Sequence, residues 1–203
     1  MMFNEKNGCT AIAFDVFGTL VKIQEGRSPY RRLLKWLKSQ GRNYKPDDST
    51  IIMSYSFDFK ELTDFWGQQI PDHFLQELND DLFEDLENLT LYEDTLLTLN
   101  RLRDSGFKLA LCSNLALPYG EKIFSMIPNL DAYALSYEIG AIKPDPRIYQ
   151  SLLDQLNCRK DEVLFVGDTL LADVIGPKSF GMSARLIDRK NGQNLQDVLV
   201  DLL

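Results

Sequence analysis

The sequence predicts an α/β protein, a doubly wound and mainly parallel sheet with a small all-helical cap inserted after the first strand. Three observations carry that expectation. The apolar runs Ala11–Phe14, Leu109–Cys112 and Val163–Val166 are continuous rather than alternating, as in parallel strands that helices cover on both faces. From Tyr92 onward, strand-like and helix-like stretches alternate, the pattern of βαβ units. From Ser28 to Leu89 no strand-like alternation occurs, and apolar residues recur at helical spacing.

Taken in order, the first strand is Ala11–Phe14, followed by a loop from Val21 to Ser28. Ser28-Pro29 reads as a helix start, with serine as cap and proline in the first helical position. Leu33, Leu34, Trp36 and Leu37 then give an amphipathic helix ending near Gly41. Asp47-Asp48-Ser49 starts another through Ile51, Ile52 and Tyr55, and helical patterns continue over Phe57–Gln69 and Asp72–Leu89, broken at Pro71. Beyond the cap, the prediction is a helix over Glu93–Ser105 stopped by Gly106, a strand over Lys108–Cys112 and a helix over Leu117–Ile127. A short strand over Tyr133–Ser136 and a helix over Pro146–Leu156 come next, then the Val163 strand and a helix near Leu170–Phe180. Ala184–Ile187 is the last strand and Gln193–Leu203 the closing helix.

The chain of 203 residues is long enough for one sizeable core plus a small accessory domain. Its 44% hydrophobic and 26% charged residues are those of an ordinary globular protein. Thirty acidic against 22 basic residues give a net charge of −8, which on average repels nucleic acid and anionic membrane and leaves room for a local pocket that takes a small anion. Cys9, Cys112 and Cys158 are odd in number and lack metal-ligand spacing, so a reducing cytoplasm is expected. Met1–Thr10 is polar, without an apolar signal core, and no run has the length that a membrane crossing needs. Periodicity alone does not fix the oligomeric state.

Chemistry concentrates where the predicted strands end. In open α/β sheets, ligands bind just beyond the carboxyl ends of the strands. The first strand runs into Asp15 and then Gly18-Thr19, and the second into Ser113-Asn114. The Val163 strand ends in Gly167-Asp168-Thr169, with Asp173 five residues after Asp168. Ile142-Lys143-Pro144-Asp145-Pro146 places a lysine among prolines before a helix. Each residue also has a plain structural use: a turn cap for Asp15, helix caps for Asp168 and Asp173, a solvated side chain for Lys143, and turn hydroxyls for Thr19 and Ser113. Together they allow more. Carboxylates from neighbouring strands approach closely only with a proton or cation between them. Mg2+, a hard ion that takes oxygen ligands, suits such a place. Thr19, Ser113, Asn114 and Lys143 can meet the negative charge of a transferring phosphoryl group.

These four stretches, in this order from Asp15 to Asp173, resemble the four motifs of the haloacid dehalogenase-like (HAD) superfamily of hydrolases. The resemblance implies a Rossmann-like core over residues 1–20 and 91–203, with a helical cap over 21–90 acting as a lid. It gives Asp15 the role of nucleophile, passing through a covalent aspartyl intermediate, with Lys143 as the second catalytic residue. Asp15, the backbone carbonyl of Phe17 and Asp168 would hold Mg2+, with Asp173 as ligand or support, while Thr19, Ser113 and Asn114 bind substrate. The reading is Mg2+-dependent hydrolysis of a small, anionic phosphorylated compound.

Phe17 departs from the family pattern. Phosphatases of the superfamily carry an acid two residues after the nucleophile, and phenylalanine cannot protonate a leaving alkoxide. Haloacid dehalogenases tolerate an aromatic there, because halide leaves without a proton, but generally lack the acid that Asp168 retains. A 2-haloacid dehalogenase and a weakly active member with a binding or regulatory role therefore stand as alternatives. His73, the single histidine, has no evident triad partner. Phe57, Phe59, Phe65 and Trp66 serve as cap core or line the way to the substrate site.

Overall fold

The apolar runs become β1 (Ala11–Phe14), β2 (Lys108–Ser113), β3 (Ala132–Leu135), β4 (Val163–Gly167) and β5 (Ser183–Leu186). In the computed structural model, which describes residues 8–22 and 25–203, they form an all-parallel sheet in the order β3-β2-β1-β4-β5. The remaining part of the polar N-terminal stretch and residues 23–24 of the Val21–Ser28 loop lie outside the described residues. Because all strands run the same way, Asp15, Ser113 and Asp168 emerge at one edge. β1 is central, and strand order reverses beside it, so β1 and β4 flank the crevice where such sheets bind ligands.

In β1, β2 and β3 the period of two sorts large residues from small, whereas β4 carries large ones on both faces, Val163 and Phe165 opposite Leu164 and Val166. Ile12, Phe14, Leu109, Leu111, Leu164 and Val166 share a cluster with Leu99 and Leu102 of α5 (Thr95–Asp104), Ile123 of α6 (Leu117–Met126) and Leu195 of α10 (Leu195–Val198). Ala11, Ala13, Ala110, Cys112, Ala132 and Ala134 belong to a second cluster. Those small residues let α8 (Pro146–Leu156) lie close, with Ile148, Tyr149, Leu152, Leu153 and Leu156 buried against them. Burial of each large side chain contributes about 1.5–3 kcal/mol. α8 begins as predicted, with Pro146 in its first turn and the Asp145 carboxylate accepting from Arg147 N at 2.9 Å.

Between β1 and β2 lie α1 (Pro29–Ser39), α2 (Asp48–Ser54), α3 (Phe59–Phe65) and α4 (Asp72–Glu87). Leu33, Leu37, Phe59, Leu62 and Leu78 bury a third, separate cluster there. The chain leaves and rejoins the sheet through a paired strap, with Lys22 N donating to Thr90 O at 2.8 Å and Tyr92 N to Leu20 O at 2.9 Å. This helical segment buries an ion pair. Asp48, fully buried, accepts from the two terminal guanidinium nitrogens of Arg42 at 2.5 and 2.9 Å, and that guanidinium lies 4.3 Å from the Trp66 ring centroid.

The Arg42 hydrogen bond holds the Asp48 carboxyl below its usual range, against the opposing effect of burial. A depressed acid stabilises the fold above its unfolded pKa and loses that contribution as pH falls through the folded value. Asp48→Asn strands the Arg42 charge, and breaking such a pair costs about 3–5 kcal/mol. Both tryptophans, Trp36 and Trp66, lie in the cap, so fluorescence-monitored urea unfolding reports on this segment. The variant is expected to unfold at lower urea than wild type at pH 7, with the gap narrowing in acid.

Several boundaries differ from the sequence reading. The third strand is Ala132–Leu135, one residue early, because Ser136, the first residue of the short helix α7 (Ser136–Ile139), turns inward: its Oγ donates to Leu115 O at 3.2 Å and accepts from Leu115 N at 2.9 Å. Ser28 does not cap α1 with its side chain. It sits at φ +54°, and its N–H donates to Asp85 Oδ2 at 3.1 Å. The helix near Leu170–Phe180 divides into a wide π-type turn, Leu170–Ile175, and α9 (Gly176–Phe180). The closing helix spans only Leu195–Val198, since Arg185 Nη1 takes the Val198 carbonyl at 2.6 Å.

Candidate active site

Four of the predicted residues meet around Asp15, which is buried at the end of β1. Ser113 Oγ donates to its Oδ1 at 2.8 Å and Lys143 Nζ to the same oxygen at 2.6 Å. Lys143 Nζ also donates to Asp173 Oδ1 at 2.7 Å, and Thr169 N donates to Asp173 Oδ2 at 2.8 Å. The Lys143 side chain is 2% exposed and sits 5.2 Å from the Phe165 ring centroid, so this is a buried, charge-assisted bridge.

Asp168 follows the neighbouring strand. It accepts from Thr169 Oγ1 at 3.2 Å and has no ion-pair partner among the described residues. Ligand oxygens of Asp15, Asp168 and Asp173 lie within 4.8 Å of one another. Glycines make that approach possible. A Cβ on Gly18, which turns at φ +77°, would stand 2.2 Å from Asp168 Oδ2, and one on Gly167 would stand 2.4 Å from Asp173 Cγ.

One ammonium thus faces three carboxylates, and the proton affinities reflect it. Burial raises the Asp168 carboxyl, and the nearby Asp15 raises it further. Burial pushes Asp173 up to about 6; Lys143 pulls it down and Asp15 pushes it up. For Lys143, burial disfavours the charge, but Asp15 and Asp173 outweigh that and hold its pKa above the usual lysine value. The excess negative charge and the all-oxygen donor set fit a hard divalent cation.

The structure puts other predicted residues in different company. Asn114 clasps the Lys143 backbone, its Oδ1 accepting from Lys143 N at 2.7 Å and its Nδ2 donating to Lys143 O at 3.2 Å. Thr19 is fully buried, with its hydroxyl unpartnered among the described residues. The Phe17 backbone lies in the turn after Asp15, where Gly18 N donates to Val21 O at 2.9 Å and Val21 N to Val16 O at 2.9 Å, and neither bond ends on the Phe17 carbonyl. Its ring packs edge-on to Tyr119 with centroids 5.8 Å apart, and Tyr119 lies 6.3 Å from Tyr30 of the cap.

Sequence reading missed Tyr119, which joins this turn to the cap, and Arg189. Arg189 Nε and Nη2 donate to the Thr19 carbonyl at 3.0 and 2.7 Å. No local pattern separates Asp188-Arg189-Lys190 from a solvated charge run, so their partners emerge only from the fold.

A parallel α/β sheet thus gathers carboxylates, a hydroxyl and a buried lysine beyond the carboxyl ends of its strands. The chain belongs to the haloacid dehalogenase-like hydrolase family, whose model matches residues 9–181. It is 28% identical over 196 residues to (S)-2-haloacid dehalogenase 4A of Burkholderia cepacia, covering 89% of this chain and 83% of that protein. It is 34% identical over 108 residues to glyceraldehyde 3-phosphate phosphatase of Methanopyrus kandleri, covering 52% of this chain and 46% of the relative. The chain therefore spans about half the length of that phosphatase relative. Among solved structures, a HAD phosphatase from Thermococcus onnurineus superposes with a TM-score of 0.61 at 24% identity, covering 95% of each chain. Among the described residues, no helix is long and apolar enough to cross a membrane.

Proposed function

We propose that this hydrolase uses Asp15 as nucleophile in a Mg2+-dependent hydrolysis of a small phosphorylated compound, on a core of residues 1–20 and 91–203 lidded by 21–90. The observation that carries the reading is the cluster of Asp15, Asp168 and Asp173 oxygens balanced by a single ammonium. Asp15, Asp168 and the Phe17 carbonyl would hold Mg2+, with Asp173 beside them. Bound there, the ion supplies positive charge for the phosphoryl oxygens.

The chain's own residues account for the rest. Asp15 attacks phosphorus, the bond to the leaving oxygen breaks, and water then cleaves the aspartyl phosphate to release phosphate and restore the carboxylate. Ser113 and Lys143 orient Asp15 through Oδ1, and Asn114 fixes the Lys143 backbone. Thr19, Ser113 and Lys143 are all buried at this edge of the sheet, Thr19 completely. Phe17, packed against Tyr119, stands two residues after Asp15 and offers a leaving group no proton, so acyl phosphates and other activated esters are the preferred class.

A panel of acetyl phosphate, p-nitrophenyl phosphate and sugar phosphates, with Mg2+ and with EDTA, tests this. Activity indifferent to the chelator overturns the metal role. Phe17→Asp is expected to raise turnover of the unactivated sugar phosphates by about 10²-fold, while losing the edge-on ring contact with Tyr119. An unchanged rate would locate the deficit elsewhere in the pocket.

A second reading has its own support. Phe17 supplies no proton, and the (S)-2-haloacid dehalogenase relative is matched over 89% of this chain. Halide release from 2-chloropropionate in the presence of EDTA would favour it.

A further inference from the structure

Arg189, in the turn after β5, lies outside the carboxylate cluster yet is only 7% exposed at its side chain. Two of its nitrogens converge on the Thr19 carbonyl at 2.7 and 3.0 Å. Its Nη1 donates to Asp94 Oδ2 at 2.9 Å, and the guanidinium lies 4.1 Å from the Tyr92 ring centroid. Asp94 is fixed in turn, because the same oxygen accepts from Leu195 N at 2.6 Å.

The next carbonyl along is held from the same segment: Leu20 O accepts from Tyr92 N at 2.9 Å and from Thr95 Oγ1 at 2.8 Å. Within the turn, Val16 O accepts from the N–H groups of Thr19, Leu20 and Val21 at 3.3, 2.8 and 2.9 Å. The turn that starts at Asp15 is thus closed on itself and clamped by Arg189 and the Tyr92–Thr95 segment. At Gly18 the turn passes so close to Asp168 that a Cβ there would stand 2.2 Å from Asp168 Oδ2.

A guanidinium suits this place in a way an ammonium does not. Its planar fork sends two donors to one carbonyl while a third meets a carboxylate and the face stacks on an aromatic ring. We infer that Arg189 is a positioning residue that, through the Thr19 carbonyl, sets the turn aiming Asp15 and the Phe17 carbonyl. The inference rests on the reading of Asp15 as nucleophile. Arg189 touches no reacting atom; it acts by keeping the attacking group in register, where an error of about 1 Å costs about 10²-fold in rate.

The test uses the full chain with Arg189→Lys and Arg189→Gly, Mg2+, and acetyl phosphate as probe. Arg189→Lys is expected to lower kcat by about 10²-fold with KM changed by less than about threefold. Guanidinium ion, and not ammonium, should restore part of the loss in Arg189→Gly. Amide hydrogen exchange gives a readout independent of turnover: Leu20 and Val21 should exchange at least about tenfold faster in Arg189→Lys, while β1 amides keep their protection. Unchanged kcat, or unchanged exchange at Leu20 and Val21, overturns the inference, as does acceleration extending equally through β1. Wild-type turnover by Asp15→Asn would instead remove the nucleophile reading and leave the exchange result standing as a measure of the clamp.

Discussion

Asp15→Asn is expected to lower turnover by on the order of 10⁴-fold or more, since removing a covalent nucleophile forfeits the step that divides the reaction. The loss should come without unfolding. Asparagine keeps an acceptor where Oδ1 receives Ser113 and Lys143. It also removes one of three mutually repelling carboxylates, and Lys143 retains its bond to Asp173 at 2.7 Å. Thermal unfolding should therefore begin no lower than in wild type. Stopped assays with acetyl phosphate and Mg2+, set beside a melting curve, separate the two effects. A variant as active as wild type would show that the carboxylate does not attack, whatever its place in the fold.

How much of this was legible depended on how far each signal reached along the chain. β1, β2 and β4 are buried on both faces and read as unbroken apolar runs. β5 was harder to bound, because it is an edge strand whose Arg185 points to the Asp201 carboxylate. Asp15, Ser113 and Asp168 stood out as polar residues where apolar runs end, Lys143 as a lysine among prolines and Asp173 as an acid five residues beyond Asp168, and the topology brings them together. The direction of a side chain within the site was not legible. Asn114 in sequence is an amide free to meet substrate; in the fold both its polar atoms are taken by Lys143. Thr19 reads as a turn hydroxyl and is enclosed. Arg189 acts across a separation of 170 residues, and no local pattern encodes such a partner.

Lys143→Met should cost both activity and stability. The ammonium bonds Asp15 at 2.6 Å and Asp173 at 2.7 Å with 2% of its side chain exposed, and methionine leaves both carboxylates buried without their counter-charge. Breaking a buried pair in this way costs about 3–5 kcal/mol. The sign of the pH dependence follows from the shifts. Lys143 titrates above its usual value, so its contribution is complete below that value and fades only as pH rises through the higher one. Asp173, raised to about 6, binds a proton more tightly folded than unfolded, so its contribution is complete below the unfolded carboxylate pKa and is lost as pH rises through about 6. Without the lysine that loss deepens, because the carboxylates can then be accommodated only by protonation. Urea unfolding at pH 5 and pH 8 should show the variant's deficit growing with pH, and a deficit equal at both would mean that the bridge carries no such charge linkage. Added Mg2+ should recover more stability in Lys143→Met than in wild type at pH 8, since a cation that binds only the folded cluster stabilises it by mass action. Adding Asp168→Asn to the same variant should remove that recovery; if it persists, the ion binds elsewhere and the carboxylate cluster is not its site.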